Sequence, residues 1–173
     1  TACAVTKLGY EAEAFKRLDL AVQCGFVNFE HRKRDPDLEP LRDDSRYEAL
    51  LNSVEKRYAD AAEFMEKWAR ETLGSDAIIE RDEESRLVLA TNLDAETFKR
   101  MRGTIRAQMR LQMDMMFDGP PNSFVLILVP TPEKADALIE SVRIGGFYDH
   151  DTRRLVLRDI GPSLRHEITH ALH

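Results

Sequence analysis

The string His166-Glu167-Ile168-Thr169-His170 sets two imidazoles four residues apart with a carboxylate between them. On a helix, residues at that spacing share one face, about 6 Å apart along the axis, so both rings can address one metal ion. Glu167 then stands on the flank, where a carboxylate takes a proton from metal-activated water. His166 and His170 are the expected metal ligands, Zn2+ the expected metal, and Glu167 the expected general base of a hydrolase. At about 100° per residue, Leu164, Ile168, Ala171 and Leu172 gather on one side of such a helix, and His166, His170 and His173 on the other. The segment thus has an apolar face for docking and a separate imidazole face. Gly161-Pro162-Ser163 reads as its start, with proline in the first turn. The competing reading is a solvated face that carries histidines by chance; the glutamate in place between them favours the metal.

A catalytic zinc takes three protein ligands and keeps one open position. His173 lies on the imidazole face, but about 10 Å along the axis from His166, so it reaches a shared ion only with strain. The expected third ligand is therefore a Glu, Asp or His beyond the end of this sequence. The chain also opens at Thr1-Ala2-Cys3, without methionine. It reads as a fragment of a longer protein, with its metal site incomplete.

The elements that must position this segment are legible from periodicity. From Ser75, the short β-type runs Ala77–Glu80 and Arg86–Thr91 flank Asp82-Glu83-Glu84-Ser85 as a hairpin. Asp94 caps a helix running to about Phe117, on which Phe98, Met101, Ile105, Met109, Gln112 and Met116 recur at helical spacing. This methionine stripe is expected to pack on a sheet. Asp118–Asn122 is a turn, Phe124–Val129 a fully buried strand, and Pro132–Val142 a short helix. Gly145–Asp149 and Arg154–Arg158 pair around a polar turn, whose His150 is expected on the surface. The predicted order is β-β-α-β-α-β-β-α, a mixed sheet with packed helices.

Residues 1–74 read as helical. Ala2, Val5 and Leu8 form a short stripe ended by Gly9; Ala12–Cys24 buries Ala14, Phe15, Leu18, Ala21 and Val22 and stops at Gly25. Prolines between Asp35 and Asp44 imply short turns. A long amphipathic helix then runs from Ser45 to Gly74. The fold class expected is α+β, with domains 1–74 and 75–173.

Composition narrows the function. The net charge of −6 divides evenly, with 12 basic and 15 acidic side chains through residue 75 and 13 and 16 after it. Neither part has the basic excess of a nucleic-acid surface, and acids flanking Glu30–Arg34 cancel that charge run. The longest apolar run is a strand's length, too short to span a membrane. Cys3 and Cys24 form no C-x-x-C pattern; two reduced thiols fit a cytoplasmic setting.

Two resemblances add to this reading. Ala12 to Leu51, with Ala21-Val22, Gly25-Phe26, the Asp35–Asp44 stretch and Arg46–Leu51, resembles the last repeat and cap of a bacterial tetratricopeptide (TPR) array. That resemblance implies a protein partner for the helical segment. Gly145–Asp149, Arg154–Leu157 and His166–Leu172, in the β-β-α-β-α-β-β-α order, resemble the N-terminal half of gluzincin-type zinc metallopeptidases, the peptidase MA-like domains. The resemblance implies a zincin-like sheet, zinc on His166 and His170, Glu167 as general base, and a third-ligand glutamate on a later helix. It also implies an edge strand that pairs with extended peptide; Gly146, Phe147 and Tyr148 are the expected substrate-binding residues, since glycine lets another backbone approach. The expected function is zinc-dependent peptide hydrolysis. The alternative is a non-catalytic interaction module whose peptidase-like domain is degenerate.

Overall fold

The computed structural model describes residues 1–23, 34–117, 119–139 and 143–172. Cys24, Gly25, the Phe26–Phe29 stretch, most of the Glu30–Arg34 charge run, the end of the helix expected to reach Val142, and His173 lie outside these. The chain divides by its internal packing into two units, Thr1–Asp60 and Ala61–His173, with one long helix running through the division.

In the first unit, α1 (Ala2–Lys7) is capped by the Thr1 hydroxyl and α2 spans Glu11–Gln23. A 3-10 turn, Pro36–Leu41, precedes α3 (Ser45–Leu73). Gly9, at φ +78°, separates α1 from α2. Ala14, Phe15, Leu18, Val22, Leu38, Leu41, Tyr47, Leu50 and Val54 form the core. Leu8, expected in the first apolar stripe, is 69% exposed. That helix ends at Lys7, before Leu8 can complete the face, and Thr6 is buried instead. α3 ends where expected, at Gly74 with φ +110°, a left-handed conformation that costs glycine little.

The second unit is mixed α and β, built on a five-stranded sheet of order β1-β2-β3-β5-β4. Its strands are β1 (Ile78–Asp82), β2 (Leu87–Thr91), β3 (Val125–Leu128), β4 (Gly146–Asp149) and β5 (Arg154–Leu157). Helices α4 (Ala95–Met116), α5 (Pro132–Leu138) and α6 (Pro162–Leu172) complete the predicted β-β-α-β-α-β-β-α order. The β2–β3 and β3–β5 pairs are parallel, while β1–β2 and β4–β5 are antiparallel hairpins. The central strands are buried throughout, as parallel strands covered on both faces must be. On one face Leu87, Leu89, Val125, Ile127, Leu155 and Leu157 meet Phe98, Met101, Ile105 and Met109 of α4 and Leu164, Ile168 and Leu172 of α6.

Asp94 caps α4 by accepting the Thr97 N–H at 2.9 Å, as its position predicts. The methionine stripe is core at Met101 and Met109 but not at Met116, which is 63% exposed. Past Gln112 the covered face is carried by Met113 and Phe117, which pack partly buried against the core, and Met116 is turned off it. α5 is shorter than expected, with Ile139 already extended at its C-terminus. Among the described residues no helix is long and apolar enough to cross a membrane.

Candidate metal and active site

Local sequence makes α6 a helix with two working faces. Pro162 occupies its first turn, where a missing N–H costs nothing. Leu164, Ile168, Ala171 and Leu172 are buried in the sheet-facing core, while His166 and His170 are exposed on the other face. The two Nε2 atoms stand 3.2 Å apart, with ring planes at 81°. Two nitrogens bound to one tetrahedral zinc at about 2.0–2.1 Å are themselves about 3.3 Å apart. The observed separation is close to that spacing. The same separation also suits an N–H···N hydrogen bond between the two imidazoles.

Glu167 is half-buried on the flank of this pair, between the imidazole and apolar faces. Its Oε2 accepts the backbone N–H of Tyr148 at 3.1 Å, which ties the carboxylate to strand β4. Gly145 and Gly146 make that approach possible. A Cβ on Gly146 would lie 2.6 Å from Leu157 Cδ2 and 3.3 Å from Glu167 Cγ, and one on Gly145 would overlap the Ser163 side chain. The glycine pair thus admits α6 against the strand. β4 is an edge strand; Phe147 is 51% exposed on it, whereas Gly146 and Tyr148 are buried. The outer N–H of Tyr148 is engaged by Glu167, so the edge offers its remaining backbone groups to an added strand.

Two contributors escape sequence reasoning. Gln112, 95% shielded from solvent within the methionine stripe, donates from Nε2 to the Arg165 carbonyl at 2.9 Å and accepts the Thr169 hydroxyl at 3.2 Å. It fixes the motif helix to α4 from below. His150 is exposed, as expected, yet its ring centroid lies 5.8 Å from that of His170 and 4.8 Å from that of Tyr148. Its turn faces the motif because β4 and β5 pair in register beside α6, a relation with no local signature. Tyr148, His150, Arg153 and His170, with Pro121 and Asn122, line a cavity of about 180 Å³. Burial pushes the Tyr148 phenol above its ordinary value, and the nearby Arg153 guanidinium draws it partly back.

Among the described residues, no third His, Cys, Asp or Glu ligand atom shares metal-binding distance with His166 and His170. The one such cluster found is Cys3, Asp35 and Asp37, in the first unit. There Asp35 accepts the Asp37 N–H and the Cys3 thiol, and Asp37 pairs with Lys7 at 2.8 Å. These contacts explain the cluster as the cap of the 3-10 turn. No protein-family model, curated protein sequence or solved structure matches the chain.

Proposed function

We propose that the second unit is a zincin-like peptidase domain that hydrolyses peptide bonds with a metal held by His166 and His170. The observation that carries the reading is the 3.2 Å separation of the two Nε2 atoms, which matches the bite of one tetrahedral zinc. The five-stranded mixed sheet with packed helices, and the edge strand β4 beside the motif helix, support the reading. When bound, zinc would polarise the scissile carbonyl and make an attacking water more acidic.

The chain's own residues supply the remaining chemistry. Glu167 takes the proton of the attacking water and passes it to the leaving amine. The Tyr148 N–H holds the Glu167 carboxylate in one orientation, so that proton transfer needs no search. Gly146, Phe147 and Tyr148 present the β4 edge to extended peptide, which adds as a further strand through the main-chain groups other than the Tyr148 N–H. For the helical segment, a tetratricopeptide-like role in binding a protein partner is supported by Leu8, Tyr10 and Leu20, all well exposed.

Zinc stoichiometry, measured by mass spectrometry after dialysis, tests the reading together with peptide turnover. Once a third ligand completes the site, the expected result is one zinc per chain, lost in His170→Ala and kept in Glu167→Gln, with hydrolysis lost in both. Zinc retained in full by His170→Ala, or turnover retained by Glu167→Gln, refutes it and favours the non-catalytic interaction module.

A further inference from the structure

Among the described residues, Arg153, Tyr148, His150, His170 and Asn122 line the cavity beside the motif helix, and no Asp or Glu does. Asp149, next to Tyr148, accepts the N–H groups of Asp151 and Thr152 at Oδ1. In a chain of net charge −6, the ionic side chain on this lining is a cation, Arg153. The cavity's volume of about 180 Å³ holds roughly six waters, about one side chain.

Arg153 is the centre of that charge, and its backbone is unusual. At φ +53° it occupies the left-handed region, where glycine is favoured and a Cβ is crowded. The β1–β2 hairpin has the same device at Arg86, φ +50°, but there the guanidinium is used, donating to the Pro121 carbonyl at 2.8 Å. Among the described residues the Arg153 side chain makes no hydrogen bond or ion pair. Both hairpins close through such a residue, so what sets Arg153 apart is an unpaired cation lining a cavity beside two candidate metal ligands, and that points to a ligand.

We propose that Arg153 and the Tyr148 hydroxyl form a carboxylate-binding subsite next to the metal-binding face of α6. The substrate is then a peptide with a carboxylate close to the bond that is cut, from an acidic side chain or from the chain terminus. Arginine suits this role because its planar fork meets both carboxylate oxygens. The inference rests on the peptidase reading for its substrate, but not for the subsite itself.

The test therefore uses the metal-free protein in EDTA at pH 8. N-acetylglutamate α-amide, N-acetylalanine and the neutral N-acetylglutamine α-amide are titrated while the histidine ring signals are followed by NMR. At least one acid should bind about tenfold or more tightly than the neutral amide, the effect of one charge-assisted pair. Tighter binding of the first acid assigns the subsite to an acidic side chain, and of the second to a chain terminus. The preference should vanish in Arg153→Gln. It should also vanish in Arg153→Gly, whose thermal midpoint should stay level or rise because the backbone strain is gone. Equal binding of acids and amide, or an acid preference that survives in both variants, overturns the subsite. An intact preference in a protein that hydrolyses no peptide removes the peptidase reading and leaves the subsite standing.

Discussion

Substituting Gly146 by alanine tests whether β4 and the motif helix are coupled as their packing implies. The added Cβ would sit 2.6 Å from Leu157 Cδ2, and 3.3 Å from both Glu167 Cγ and the Val156 carbonyl oxygen. Carbon atoms pack best at about 3.5–4.0 Å, so the overlap with Leu157 is about 1 Å. Leu157 is fully buried, so its Cδ2 must shift within the packed core, and the Val156 carbonyl belongs to the sheet. Glu167, at 3.3 Å, gives way by a few tenths of an ångström away from β4. Overpacking of this kind costs about 1–3 kcal/mol, which for a unit of this size lowers the thermal midpoint by about 3–10 °C. Displacing Glu167 also lengthens its hydrogen bond from the Tyr148 N–H, so turnover should fall further than zinc content. Circular dichroism melts, zinc stoichiometry and peptide turnover measured on one preparation decide the matter. A variant that melts within 1 °C of the parent and turns over peptide at the same rate would refute the coupling.

Gly103 offers the opposite case. It lies inside α4 with no atom within 4 Å of an added Cβ, so Gly103→Ala should raise stability by about 0.5–1 kcal/mol; any loss in a urea titration would count against the helix. Gln112→Met keeps the volume but removes the bonds to Arg165 and Thr169. Because the Thr169 hydroxyl has one proton and a second acceptor in the Arg165 carbonyl at 3.0 Å, the expected loss is about 1–2 kcal/mol. A variant as stable as the parent would show that α6 is held by apolar packing alone.

The element order of the second unit was legible because each segment carries its own period. The hairpin runs alternate around turn residues, and α4 repeats its apolar residues at helical spacing behind the Asp94 cap. The continuous apolar run Phe124–Val129 marks a strand covered on both faces. Boundaries were less legible. Met116 continues the spacing of the stripe but is exposed, because the face packed on the core passes instead through Met113 and Phe117. The two glycines before Phe147 read as room for a substrate backbone. A Cβ on them would meet Ser163, Leu157 and Glu167 of the same unit, a contact set by how α6 lies on β4.

The chemistry-bearing string and its helical face were readable from the chain alone, since His166, Glu167 and His170 are related by the local geometry of one helix. What surrounds them depends on long-range packing. His150, Arg153 and Tyr148 arrive from a hairpin, and Gln112 arrives from α4, 53 residues before the Arg165 carbonyl it binds. Neither approach leaves a periodic trace, because strand pairing and helix docking are set by the summed burial of many side chains. That same collective packing brings a cation, a phenol and a third imidazole to the edge of the two-histidine face.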